Sequence, residues 1–200
     1  MKITKILLAL FLATLTLNAE SYEGRGDYGG YDGRGYGEGE RGFGYKKNKR
    51  EKIDVRPVDN ALYKKECASC HFGYQPGWLP EKSWRFIMQT LEDHYGTDAS
   101  VDKKTGEELL DYVVSNSAER ATGYKRSAKM LRSVEPGVLY KSITEIPYHI
   151  KKHKKIEKWM ITQKEVKTLA NCAACHKKAD EGKFGKRSVY IPNYGEWRDD

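Results

Sequence analysis

The four cysteines of this chain all lie in two copies of one pattern, Cys67-Ala68-Ser69-Cys70-His71 and Cys172-Ala173-Ala174-Cys175-His176. Each copy reads C-x-x-C-H, the attachment signature of c-type haem. The chemistry needs that spacing. Two thiols three residues apart on a helical turn can each add to a vinyl group of the same porphyrin. The histidine after the second thiol then points at the iron as proximal ligand. A disulfide, a redox pair or half a zinc site also uses C-x-x-C, but zinc pairs usually sit closer in sequence than these two. None of the three requires a histidine after both pairs. The expectation is two covalently bound c-type haems, held through Cys67 and Cys70 and through Cys172 and Cys175. His71 and His176 are the proximal iron ligands.

The N-terminus supports export. Met1 to Lys5 is short and basic, Ile6 to Leu17 is apolar, and Asn18-Ala19-Glu20 offers a cleavage site after Ala19. That is a secretory signal layout, and the apolar run is short for a membrane span. Residues 1–19 therefore read as a signal peptide and the mature protein as periplasmic. Losing Lys2 and Lys5 takes the formal charge from +8 to +6. About four propionates and about one positive charge per ferric centre then leave roughly +4. An exported chain of that charge has little use for nucleic acid. A basic patch that steers an acidic redox partner or lies on an anionic membrane suits it better, beside the plainer reading of a solvated face.

Residues 20–52 begin in a Gly, Tyr and Arg-rich stretch without Leu, Ile or Val up to Tyr45, and read as a disordered tether. A first haem lobe is expected over 53–125. Asp59 is the expected N-cap of a helix running through Leu62 and Tyr63 into Cys67 and His71. An aromatic loop, Phe72 to Pro80, should cover one haem face. A helix is expected from Glu81 to Tyr95, with Trp84, Ile87, Met88, Leu91 and Tyr95 on one stripe, His94 at its edge and Gly96 as C-cap. Thr105 to Glu108 reads as a capping box opening a third helix. A second lobe is expected over 126–200. There Pro147 opens a helix whose Ile146, Ile150, His153 and Ile156 share a face, with His149 more to one side. Thr162 and Glu165 read as a capping box for a helix ending in Cys172 to His176. The tail is loop-like, with Tyr190, Ile191, Tyr194 and Trp197 free to wrap a porphyrin edge.

The iron's sixth position separates electron transfer from small-molecule chemistry, because a second His or Met closes it. With His71 and His176 used, His94, His149 and His153 remain, together with Met88, Met130 and Met160. The stripe positions assign His94 to the first haem and His153 to the second. His149 is the weaker candidate, a surface residue or propionate neighbour, and Met88 is core filler.

Several segments together resemble the bacterial periplasmic dihaem cytochrome c family, DHC. They are Cys-Ala-Ser-Cys-His, Trp78-Leu79-Pro80, Ser83-Trp84-Arg85, Leu91-Glu92-Asp93-His94, and Thr144-Glu145-Ile146-Pro147-Tyr148 through His153 to Asn171-Cys172 and His176. The likeness covers nearly all of the chain beyond Asp59 and leaves the tether outside. It implies bis-histidinyl haems with pairs His71/His94 and His153/His176. It also implies electron shuttling with periplasmic or membrane-bound redox proteins, such as a monohaem cytochrome or a membrane cytochrome b. The expected fold is mostly α, a class I cytochrome c-like N-terminal haem lobe with a smaller helical or irregular C-terminal one. The competing readings are a dihaem peroxidase or nitrogen-oxyanion reductase, a haem-based gas or redox sensor, and a disulfide-stapled binding module. The enzyme would need an open iron beside an acid–base group.

Overall fold

Asn60, rather than Asp59, starts the first helix. Its side chain accepts the Tyr63 amide at 2.8 Å, and α1 runs over Ala61–Cys67. The helix stops short of expectation. The Ser69 hydroxyl donates to the Glu66 carbonyl, so Cys70 and His71 lie on the turn that follows. These details come from a computed structural model that describes residues 52–198, all within the compact unit 47–200. The expected signal segment 1–19 and all but the last residue of the expected 20–52 tether lie outside the described residues.

Helix is the dominant regular structure, as the composition of the segments suggests. A buried 3-10 turn, Pro76–Trp78, lies within the expected aromatic loop, which leads into α2, Glu81–Gln89. That helix ends six residues earlier than the apolar stripe implies. Thr90 leaves helical geometry at φ −123° and its hydroxyl donates back to the Phe86 carbonyl at 3.0 Å. A 3-10 turn over Leu91–Asp93 follows, and His94 comes after it, on no helix. The next helix, α3, Lys103–Ser115, is capped by Asp102, which accepts the Thr105 amide, so Thr105 lies inside it. Leu109 and Val113 of α3 are buried.

The short helices α4, Lys125–Leu131, and α5, Pro147–His153, follow, the latter with proline at its first position. On α5 the expected face is rotated. Ile150 is 55% exposed while His149 is only 8% exposed, so His149 is the inward residue. The expected helix from Thr162 to His176 does not form. Instead α6, Lys158–Thr162, ends where the Gln163 side chain bonds the Met160 and Pro192 carbonyls, and Lys167 turns with φ +67°. Only α7, Cys172–Cys175, is helical in that motif. The tail closes in a two-stranded antiparallel ribbon, β1 Tyr190–Ile191 with β2 Gly195–Glu196.

Both halves of the described chain contribute to one core, which includes Val55, Tyr63, Trp78, Leu109, Met130, Ile146 and Phe184. Three ties lock them together. The Asp54 and Val55 amides both donate to the Gly182 carbonyl. Gly182 has φ +69°, and a Cβ there would stand 2.1 Å from the Val55 carbonyl oxygen, so only glycine fits. Asp54 pairs with Arg126 at 3.0 Å and accepts the Phe184 amide at 2.8 Å. Gln75, 1% exposed, donates to the Ala179 carbonyl and accepts the Trp78 indole N–H, at 2.7 and 2.8 Å.

Candidate haem sites

The turns after α1 and α2 bring the rings of His71 and His94 together. Their rings are 24° from parallel with centroids 6.2 Å apart. Elementary geometry gives that number meaning. Two imidazole nitrogens each about 2 Å from one metal, each about 1.1 Å from its ring centre, put the centroids about 6.2 Å apart. The His71 Nδ1–H is placed to donate to the Phe72 carbonyl at 2.8 Å, which leaves Nε2 with its lone pair for a metal. Cys70 and His71 are exposed and Cys67 is half-buried, so this site opens to solvent. Tyr95, 66% exposed, lies against His94 with ring centres 5.0 Å apart. Partial burial and the neighbouring His71 hold the His94 pKa below the usual imidazole value, which favours the neutral ligand form.

The second site is built between α5, α7 and the segment up to Phe184. His153 and His176 also have ring centroids 6.2 Å apart, here 81° from parallel. His153 Nδ1–H is placed to donate to the carbonyl of His149, one turn back, at 2.8 Å. His153 and His176 line a cavity with Trp78, Arg126, Cys172 and Cys175. Burial, with His153 and Arg126 nearby, pushes the His176 pKa down to about 4. His176 Nδ1 is buried without a hydrogen-bond partner.

The donor set fits haem at both sites. Each offers two thiols on one turn and two imidazoles spaced for one metal between them. All four cysteines are unpaired. Burial raises the Cys67 thiol to about 11 and Cys172 to about 12. Reactive C-x-x-C pairs work through lowered thiol pKa values, so these thiols are poor redox nucleophiles. Among the described residues, no three His, Cys, Asp or Glu side chains gather to hold a metal ion unaided.

His149 differs most from its sequence reading. It lies inside the second site, its ring stacked on His153 at 4.0 Å and 26°. Burial and the two neighbouring histidines push its pKa down to about 3. Other site residues carry no spacing signal in the sequence. Arg126 sits on the short basic helix α4, and Phe184 is an isolated aromatic between glycines. Phe184 packs against His176 at 5.1 Å and edge-on to Trp78 at 4.8 Å. Tyr74 is the link between the sites. Its ring lies 5.1 Å from His71 and its hydroxyl donates to the Ala170 carbonyl at 2.7 Å, two residues before Cys172.

Comparison with known proteins identifies the family. The family model described as dihaem cytochrome c matches residues 63–184. The fold is similar to that of a dihaem cytochrome c from Shewanella baltica, with 31% identity and a TM-score of 0.57 over 70% of this chain and 98% of that one. It is also similar to a dihaem cytochrome c from Rhodobacter sphaeroides, at 32% identity and TM-score 0.57 over 64% of this chain and 98% of that one. No curated protein matches. With two complete C-x-x-C-H sites and the matched region spanning both, the chain belongs to the dihaem cytochrome c family and carries two covalently attached c-type haems.

Proposed function

We propose that this protein is a periplasmic electron carrier whose haems are both bis-histidinyl, His71 with His94 and His153 with His176. The observation that carries the reading is the common 6.2 Å ring separation of the two histidine pairs. The haems supply reversible one-electron chemistry. The protein's residues do the rest. Cys67, Cys70, Cys172 and Cys175 anchor the macrocycles. The Phe72 and His149 carbonyls orient His71 and His153, and the Trp78–Phe184 wall keeps water from His176.

Tyr74 gives a short bonded route from the first site to the second. Lys151, Lys152, Lys154 and Lys158 are exposed around α5 and α6, and Lys152 lines the second cavity. That suits docking of an acidic redox protein near the second haem, with attraction that weakens as salt is raised. Among the described residues no helix is long and apolar enough to cross a membrane.

The test is the visible and EPR spectrum of the mature dihaem protein, oxidised and then reduced with and without carbon monoxide. Two low-spin haems indifferent to carbon monoxide are expected. A high-spin, carbon-monoxide-binding haem in the unmodified protein would overturn the proposed ligation and favour catalysis or gas sensing.

A further inference from the structure

The second site contains one imidazole more than two-point axial ligation uses. His149 is 8% exposed, its Nδ1 is buried without a partner, and its ring lines the same cavity as His153 and His176. Packing alone is a poor reason for it, because an apolar side chain would fill the same space without burying an unpaired nitrogen. It also stands in parallel register with His153, at 4.0 Å and 26°.

Both rings belong to one helical turn. His153 is the last residue of α5, and His149 lies one turn inside it, close behind Ile146 and Pro147. Ile146 is fully buried and anchors that end. Helix ends fray before helix interiors do. Fraying of α5 therefore withdraws His153 first and leaves His149 in the cavity, about one ring thickness from the position His153 gives up.

We infer that His149 is a reserve axial donor for the second haem, taking the sixth position when His153 leaves it. This rests on the His153–His176 pairing proposed above. The exchange breaks one iron–imidazole bond and forms another. No proton, electron or atom enters or leaves. Its consequence is a haem that changes ligand without opening to external molecules, in contrast to the first site, where His94 has no such neighbour among the described residues.

The test uses the full-length mature dihaem protein and the variants His153→Ala, His149→Ala and the double variant, with His153→Gln as a milder replacement should the alanine variant mature poorly. The readouts are the EPR spectrum of the oxidised protein and carbon monoxide binding to the reduced one. For His153→Ala or His153→Gln, the second haem is expected to stay low-spin and resist carbon monoxide, with an EPR signal shifted from that of the unmodified protein. In the double variant that low-spin signal is lost and one haem per molecule binds carbon monoxide. If the single His153 variants already behave like the double variant, His149 does not reach the iron and the inference fails. His149→Ala separates this failure from the other. Loss of low-spin character there, or a His153→Ala EPR signal identical to that of the unmodified protein, would make His149 the native ligand. That would overturn the His153–His176 pairing itself.

Discussion

Replacing Gln75 with leucine should loosen the second haem site while leaving the first intact. Gln75 is enclosed, and its amide spans two otherwise dry groups, the Trp78 indole N–H and the Ala179 carbonyl, at 2.8 and 2.7 Å. Leucine has nearly the same volume, so no large cavity forms, but the Trp78 indole N–H loses its partner, while the Ala179 carbonyl keeps the Gly182 amide at 2.9 Å. The orphaned donor costs about 2 kcal/mol and the lost bond to Ala179 about 1 kcal/mol. The better burial of leucine returns about 1.5 kcal/mol. The net loss is about 1.5 kcal/mol, which for a folded region of this size lowers Tm by about 3–6 °C.

The damage should be local as well. Trp78 loses the bond that fixes its ring against Phe184, and Phe184 packs on His176. The assay is thermal and denaturant unfolding of the mature protein, with the low-spin EPR signals of the two haems followed separately. A Tm that does not fall would refute the assumption that the indole N–H is left dry and unsatisfied in the variant. Equal disturbance of both haem signals would refute the proposed route from Gln75 to His176.

Three further outcomes are expected. The His71–His94 rings are near parallel and the His153–His176 rings near perpendicular, so the first haem should give a rhombic low-spin EPR signal and the second a strongly anisotropic one with a large g value; two identical rhombic signals would contradict these angles. Arg126→Gln should lower the reduction potential of the second haem and not the first in a redox titration, because the guanidinium lines the second cavity and disfavours the ferric charge; an unchanged potential would refute an electrostatic role for the guanidinium. Stability should be full above about pH 6.5 and decline as pH falls towards about 3, because burial holds the unligated His149 at about 3 in the folded state while the unfolded chain takes up that proton near 6.5; denaturation midpoints that stay flat from pH 7 to about 4.5 would contradict this.

The haem-attaching groups were legible in the sequence because their chemistry fixes spacing. A porphyrin with two vinyl groups demands C-x-x-C-H wherever the motif sits in a fold, and no packing argument is needed to read it. The elements around the motifs were less legible, for reasons visible in single residues. The stripe from Trp84 to Tyr95 suggests one helix, but it says nothing of Thr90, whose hydroxyl competes for a helix carbonyl and ends α2 before His94. Asp59 and Asn60 are both good caps, and only the backbone turn selects Asn60. On α5, periodicity put Ile150 inward and His149 aside. With seven residues, the helix is too short for a moment to fix its rotation against anchors such as Ile146. The long-range partners, Asp54 with Arg126 and Gln75 with Ala179, leave no local pattern because their separations follow from the tertiary fold.

The same contrast explains why the two sites differ although their motifs match. The Cys67 motif closes a capped helix and lies beside His94 on an exposed turn, so its surroundings are solvent and a few aromatic rings. The Cys172 motif supplies only one helical turn and must borrow its walls. Trp78 comes from the first half of the described chain, Arg126 from α4, His149 and His153 from α5, and Phe184 from the segment that Asp54 holds in place. A site assembled from that many segments is buried, and burial acts on the iron as well as on the imidazoles. It withdraws the hydration that favours the ferric charge, and Arg126 acts in the same direction. The second haem should therefore be the easier of the two to reduce, and an electron entering at the exposed first site would move downhill past Tyr74 to the enclosed one. The lysines of α5 and α6 then lie beside the haem that holds the electron, where an acidic acceptor would need to dock.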